Sequence, residues 1–222
     1  QDIEYVDVSD SDASSGAQMT AKMSEGEAAG ANNTNWKFVN IIPGDTLYWT
    51  GGAGAAWADA GNWDKGRPPE PTDNLVVVNC ASQPVLSAAA SAWSVVVQSG
   101  ATLNLGGYNL SVSNLTVAGT LVASGTETVT AMKDVSFEGG AFDARRTTLR
   151  MEGDAAQSLA PGGITFFDLF VTKGGGSFTT AGALSADRFR LKATGDVAAT
   201  FAAGAAVSAR EISFDGLAGP AA

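Results

Sequence analysis

The sequence predicts an all-β chain that folds as a right-handed parallel β-helix, a β-solenoid, with about 20 residues per turn. Short segments alternate apolar and polar residues, and these segments recur at intervals of about 20 residues. No segment keeps the i, i+3, i+4, i+7 apolar spacing of an amphipathic helix. The right-handed sense is predicted only from the general preference of parallel strand crossovers.

Triplets of the form apolar-x-apolar carry the repeat. Six of them begin at Val95, Leu115, Val135, Leu169, Phe189 and Ile212. The first three are 20 residues apart, and the last three are 20 and 23 residues apart. Period two within a triplet indicates a β-strand, and the recurrence indicates that the strands stack. The interval of 34 residues between the third and fourth triplets predicts an extra strand pass or a protruding loop within residues 150–163.

Three more columns keep the same register between residues 100 and 149. One consists of glycines and two are apolar: Gly100, Gly119 and Gly139; Leu103, Leu121 and Phe142; Leu110, Val129 and Leu149. Apolar columns separated by glycine-containing corners are expected of a coil that places one strand on each of three sheets.

Two segments fall outside this period. Residues 1–42 hold one strand signal, Tyr5–Val8, followed by a polar run, and are predicted to close a preceding β-helical block. Residues 43–73 are rich in Trp, Gly and Pro and are predicted to form a cap or linker, while residues 74–222 form the parallel β-helix.

Several stretches resemble parts of one class of proteins. The sequence Tyr48–Gly52, followed by Trp57 and Asn62–Trp63, resembles the opening of β-helical repeat regions in large bacterial cell-surface and autotransporter-like adhesins. Residues 152–175 are similar to a rung that recurs in those proteins, and residues 5–36 resemble the closing rung of a block. The resemblance implies a secreted or surface-exposed structural region, and the order of the motifs implies a window on a longer repeating polypeptide.

Charge and composition exclude several classes of function. The chain has 13 Lys and Arg against 23 Asp and Glu, a formal net charge of -10, so nucleic acids and anionic membrane surfaces are not expected partners. No apolar stretch approaches the ~20 residues of a spanning helix. The absence of histidine removes Ser-His-Asp, Cys-His and His-metal arrangements, and Cys80 is the only cysteine. We expect no enzyme and no cofactor other than calcium.

Three groups of residues are candidates for binding. Trp49, Trp57 and Trp63 suit either an aromatic platform for sugar rings or a cap that closes the solenoid. Asp7, Asp10 and Asp12 offer closely spaced oxygen ligands for calcium, although they lack the EF-hand and β-roll patterns and also suit a solvated turn. The third group suits either an acidic sugar or a surface of ion pairs with neighbouring acids: Arg145, Arg146 and Arg150.

The leading hypothesis is a structural, non-catalytic β-helix of the bacterial cell surface or extracellular space that serves as stalk, sheath, filament or adhesin unit. Its expected partners are neighbouring repeats of the same chain or further copies of it, joined end to end by strand pairing. The alternative is a glycan-binding module that uses the three tryptophans. A carbohydrate-active β-helix enzyme is the third hypothesis.

Overall fold

The computed structural model describes residues 2–4, 12, 14–15, 19–22, 34–39 and 44–216 of the 222-residue chain. The chain divides into two compact units, Gln1–Pro43 and Gly44–Ala222. In the first unit, three short strands pair in parallel: β1 (Asp2–Glu4), β2 (Met19–Lys22) and β3 (Trp36–Val39). The strand predicted at Tyr5–Val8 lies outside the described residues.

The second unit consists of short strands joined by turns. Its strands, in chain order, are β4 (Thr46–Tyr48), β5 (Asn74–Val77), β6 (Ala90–Val97), β7 (Thr102–Asn104), β8 (Leu110–Val117), β9 (Thr120–Val122), β10 (Thr128–Ala131), β11 (Val135–Ser136), β12 (Ala141–Asp143), β13 (Thr148–Glu152), β14 (Gln157–Ala160), β15 (Thr165–Lys173), β16 (Ser177–Thr180), β17 (Leu184–Ala193), β18 (Ala198–Phe201) and β19 (Val207–Asp215). Over residues 44–216, helix is limited to one 3-10 turn at Ala60–Asn62. No described helix is long and apolar enough to cross a membrane.

These strands wind into a parallel β-solenoid of about 7 turns with about 20 residues per turn, which confirms the predicted fold class. Three parallel ladders run through the stack. Ladder A follows β4, β5, β6, β8, β11, β14, β16 and β18; ladder B follows β6, β8, β10, β13, β15, β17 and β19; ladder C follows β7, β9 and β12. Strand β8 belongs to both A and B because its first half pairs with β10 and its second half with β11. Strand β6 pairs with β8 along both halves and with β5 along its second half. The right-handed sense of the coil stays a prediction.

The two predicted apolar columns are confirmed by the register of the strands. Leu121 pairs with Leu103 and Phe142 in ladder C. In ladder B, Val129 pairs with both Leu110 and Leu149. Each column therefore stacks residues from three successive turns.

The six triplets form two columns rather than one. Val135 lies beside Leu115 and Leu159 in ladder A, whereas Leu169 lies beside Leu149 and Phe189 in ladder B. The 34-residue interval between them is therefore no protrusion, because it holds β13 and β14 of a regular turn. Sequence spacing alone does not distinguish two faces that share the same period.

Inward positions along all three ladders build one continuous apolar core. Phe137 is fully buried, with its ring stacked on Phe142 at 5.4 Å and edge-on to Phe166 at 5.7 Å. Corners are tight enough to require glycine, because a Cβ on Gly140 would collide with the carbonyl oxygen of Val117 one turn earlier.

Residues 44–73 lie in the same compact unit as the coil. Strand β4 pairs in parallel with β5, so ladder A already begins inside the Trp-rich segment. The segment predicted as a cap or linker thus contributes a strand to the solenoid as well as its loops.

Replacing Phe137 by alanine is expected to lower the free energy of unfolding by about 3–5 kcal/mol, because the ring fills a core that cannot collapse around the cavity. Urea unfolding followed by circular dichroism measures this loss. Ser136→Ala, at the preceding half-buried position that points away from the core, is the matched control and is expected to change stability by less than about 0.5 kcal/mol. Equal effects of the two substitutions would contradict the assignment of inward and outward positions.

Candidate functional site

The three predicted tryptophans form one buried cluster. Trp63 packs edge-to-face against Trp49 and Trp57, with ring centroids 5.2 and 5.0 Å apart. Their exposed fractions are 0% for Trp49, 6% for Trp57 and 2% for Trp63. The indole N–H of Trp49 donates to the carbonyl oxygen of Ser82 at 2.7 Å, and that of Trp63 donates to the carbonyl oxygen of Trp57 at 2.8 Å.

This packing favours the cap interpretation over the sugar platform. Stacking on a pyranose ring requires an exposed indole face, whereas Trp49 and Trp63 are buried and Trp57, at the edge of a surface groove with Pro68 and Pro69, is only 6% exposed. The cluster is also tied to the first turns of the coil, because the amide of Trp57 donates to the carbonyl of Val85 at 3.1 Å. Sugar binding by these tryptophans would require the cluster to open.

An arginine fixes the loop after this cluster to the coil. Arg67 donates two hydrogen bonds, of 2.6 and 2.8 Å, to the buried carboxylate of Asp73, and one of 3.2 Å to Asp45. These bonds from Arg67 lower the pKa of Asp73 below its ordinary value, although burial acts in the opposite direction. The sequence analysis did not single out this pair, because an Arg and an Asp six residues apart carry no motif.

A second buried carboxylate joins three turns of the coil. Glu127 accepts hydrogen bonds from the amides of Ser124 at 2.6 Å, Gly125 at 2.8 Å and Gly107, one turn earlier, at 3.1 Å. The hydroxyl of Thr147, one turn later, is 3.4 Å away. Burial raises the pKa of Glu127, but the backbone amides outweigh burial and hold the pKa below its ordinary value.

Lys173 and Gln157 form a polar contact inside the coil. The fully buried ammonium of Lys173 donates to the carbonyl of Ala155 and, at 3.1 Å, to the side-chain oxygen of Gln157. Gln157 in turn donates to the carbonyl of Glu152 at 2.9 Å. Burial lowers the pKa of Lys173. Since its ammonium is enclosed and hydrogen-bonded, the residue stabilises a corner and has no path to an external substrate.

The predicted calcium ligands are only partly described. Asp7 and Asp10 lie outside the described residues. Asp12 is exposed and accepts a hydrogen bond of 2.8 Å from the amide of Ser14, as in a solvated turn. Within the described part of the chain, no group of three His, Cys, Asp or Glu residues is arranged to hold a metal ion. Calcium binding by the three aspartates stays a prediction.

An open groove lies on the outer surface of ladder B, and we call it the arginine groove. It has a volume of about 470 Å³. Its lining is mostly polar and cationic: Thr126, Arg146, Thr148, Phe167, Arg188, Arg210 and Glu211.

Two Arg–Phe–Arg stacks form the groove and the surface beside it. The guanidinium carbons of Arg146 and Arg188 lie 5.7 and 5.3 Å from the ring centre of Phe167. Those of a second pair, Arg150 and Arg190, lie 5.3 and 4.4 Å from the ring centre of Phe170. Cation–π contacts of this kind hold extended arginine side chains in place on the sheet.

Two of the three arginines that line the groove are paired with carboxylates. Asp168, only 2% exposed, accepts hydrogen bonds from Arg188 at 3.0 Å and Arg190 at 2.7 Å. Asp187 accepts two from Arg210, at 2.7 and 2.9 Å. Arg146, by contrast, forms no ion pair with any other residue in the described ranges.

The arginine cluster noted in the sequence is therefore divided in two. Arg145 pairs with Asp143 at 3.4 Å and Arg150 pairs with Glu152, as expected of an ion-pair surface. Arg146 instead faces the groove. Sequence reasoning missed Arg188 and Arg210, which come beside Arg146 only through the stacking of turns.

The last described strand has one open edge. Strand β19 pairs with β17 and with no other strand in residues 44–216. Its inward residues Ile212 and Phe214 are 44% and 52% exposed, although their register partners Phe189 and Leu191 on β17 are buried. Among the described strands, the apolar column therefore ends at β19 with these two side chains half-exposed.

No family model, curated protein or solved structure matches the chain. The structure agrees with a β-helical repeat region, whereas the resemblance to surface adhesins stays a prediction.

The free energy of unfolding is expected to fall as the pH drops below about 5. Because folding lowers the pKa values of Asp73 and Glu127, their stabilising contributions are complete above their ordinary pKa values and are lost as the pH falls through the lowered ones. Urea unfolding at several pH values measures the decline.

Glu127→Gln is expected to make this decline shallower, because the variant has no carboxylate to protonate at that position. Glu138→Gln removes the same charge from an exposed residue and is the matched control. If the Glu127 variant lost as much stability on acidification as the parent protein, the assigned role of Glu127 would be wrong.

Proposed function

We propose that this chain is a structural, non-catalytic β-solenoid of the cell surface or extracellular space, serving as a stalk, sheath, filament or adhesin unit. The observation that carries the proposal is the continuous core column of ladder B, which within residues 44–216 ends at β19, where Ile212 and Phe214 are half-exposed. A stack of this kind is stiff along its axis because each turn is hydrogen-bonded and packed on both of its neighbours.

We further propose that β19 accepts another parallel rung, from a neighbouring repeat of the same chain or from a second copy. Unpaired backbone groups on an edge strand favour strand addition. Ile212 and Phe214 supply the apolar contacts, since they continue a column that is buried in the preceding turn. Phe214 already packs edge-to-face on Phe189, with ring centres 5.8 Å apart.

The alternative of a carbohydrate-active enzyme predicts a different experimental result. It requires turnover of a polysaccharide that a single Asp or Glu substitution abolishes while the fold is retained. Turnover of that kind would contradict the non-catalytic part of the proposal.

Assembly is tested by sedimentation and electron microscopy of the purified chain at increasing concentration. The parent chain is expected to form end-to-end rods, and the double variant Ile212→Lys/Phe214→Lys is expected to remain monomeric because a buried lysine opposes strand pairing. Ser213→Lys, between them on the outward side of β19, is the matched control and should still assemble.

Two outcomes would contradict the joining of separate copies through β19. One is a parent chain that stays monomeric at every concentration. The other is assembly that the double variant leaves unchanged. Circular dichroism of the variants establishes that the solenoid itself is intact, because the substitutions are confined to the last described rung.

A further inference from the structure

We propose that the arginine groove binds an acidic polysaccharide, whose anionic groups are held by Arg146, Arg188 and Arg210. This inference concerns the side of the coil and does not depend on assembly through β19. It also places glycan recognition away from the buried tryptophans.

The local charge is the first argument. The chain as a whole has a formal net charge of -10, yet the groove is lined by three arginines and one glutamate. Arg188 and Arg210 also pair with carboxylates beside the lining, so Arg146 carries the unbalanced positive charge. Arg146 has no carboxylate partner in the described ranges, and its guanidinium is held over Phe167 at 5.7 Å. A fixed guanidinium with free N–H groups is suited to carboxylate and sulfate oxygens, which it binds in a bidentate manner.

The second argument is the direction in which the cations repeat. Arg188 on β17 is level with Thr148 on β13 and Glu211 on β19. Arg146 comes two residues before Thr148 and Arg210 one residue before Glu211, while β15 contributes Phe167 to the lining. The three arginines thus occupy three of four successive rungs along the solenoid axis. At about 4.8 Å per rung, this row extends over roughly 14 Å. A linear polymer with a charge on successive units can engage several of these arginines at once, which raises affinity through multivalency.

The aromatic rings argue against single-stranded nucleic acid as the polyanion. Nucleic acid channels expose aromatic faces on which bases stack. Phe167 and Phe170 each contact two guanidinium groups instead, so their rings serve to position arginines. Asp and Glu also outnumber Lys and Arg in the chain as a whole, so the net negative charge repels the phosphate backbone of a nucleic acid.

The experiment compares binding of the full chain to immobilised polygalacturonate, dextran sulfate and neutral dextran at low and moderate salt. We expect binding to one or both acidic polymers, weakening with salt, and no binding to dextran. The first polymer tests carboxylate as the recognised group, and the second tests sulfate.

Arg146→Gln is expected to weaken binding by roughly tenfold or more, because it removes a charge-assisted contact without a compensating pair. Arg145→Gln is the matched control: it removes the same charge from the adjacent residue, which pairs with Asp143 and lies outside the groove lining. Glu211→Gln is expected to strengthen binding, since it removes the one acid of the lining. Thermal unfolding of each variant separates loss of binding from loss of fold.

Several results would overturn the proposal. One is binding to neutral dextran as strong as binding to the acidic polymers. A second is no binding to either acidic polymer. A third is an equal loss of binding affinity in Arg146→Gln and Arg145→Gln. Tighter binding to single-stranded DNA than to either polysaccharide, with the same dependence on Arg146, would overturn it in favour of a nucleic acid ligand.

Discussion

Inward side chains of each turn are buried by the turns on either side of them, because one turn of about 20 residues has too little apolar surface to enclose its own core. Parallel pairing aligns these side chains in columns, such as Leu110, Val129 and Leu149. Backbone hydrogen bonds and apolar contact therefore act between the same neighbouring turns. Everything outside the columns depends on this stacking, including the corners, the Trp cluster and the arginine groove.

Buried polar groups occur where the columns turn corners. Glu127 accepts amides from its own turn and from the preceding one, which satisfies backbone groups that the ladders leave unpaired. At another corner, Lys173 and Gln157 donate hydrogen bonds to backbone carbonyl oxygens. Asp73 uses Arg67 to hold the loop of the Trp-rich segment. In each case a side chain replaces water where the chain changes direction.

The fold class was predictable because the repeat is visible in inward residues, which only the core constrains. The sequence did not show which ladder each strand joins. Val135 and Leu169 share the same local pattern, yet Val135 belongs to ladder A and Leu169 to ladder B. The buried state of Trp49 could not be decided from sequence, since a cap and a sugar platform use the same residue type. The arginine groove was partly visible at Arg146, but Arg188 and Arg210 join it only once turns stack in register.

Register between turns is the claim on which the fold and both proposals depend, and cysteine pairs test it most directly. In a Cys80→Ser background, Ser111→Cys with Thr130→Cys places two outward residues side by side on β8 and β10. With Cα atoms about 4.8 Å apart, this pair should form a disulfide under mild oxidation. In the control pair, Ser111→Cys with Thr128→Cys, the second cysteine is two residues out of register. Its Cα atom lies about 8 Å from that of residue 111, so this pair should not form a disulfide. Mass spectrometry of the oxidised chains distinguishes the two, and equal cross-linking of both pairs would contradict the parallel stack.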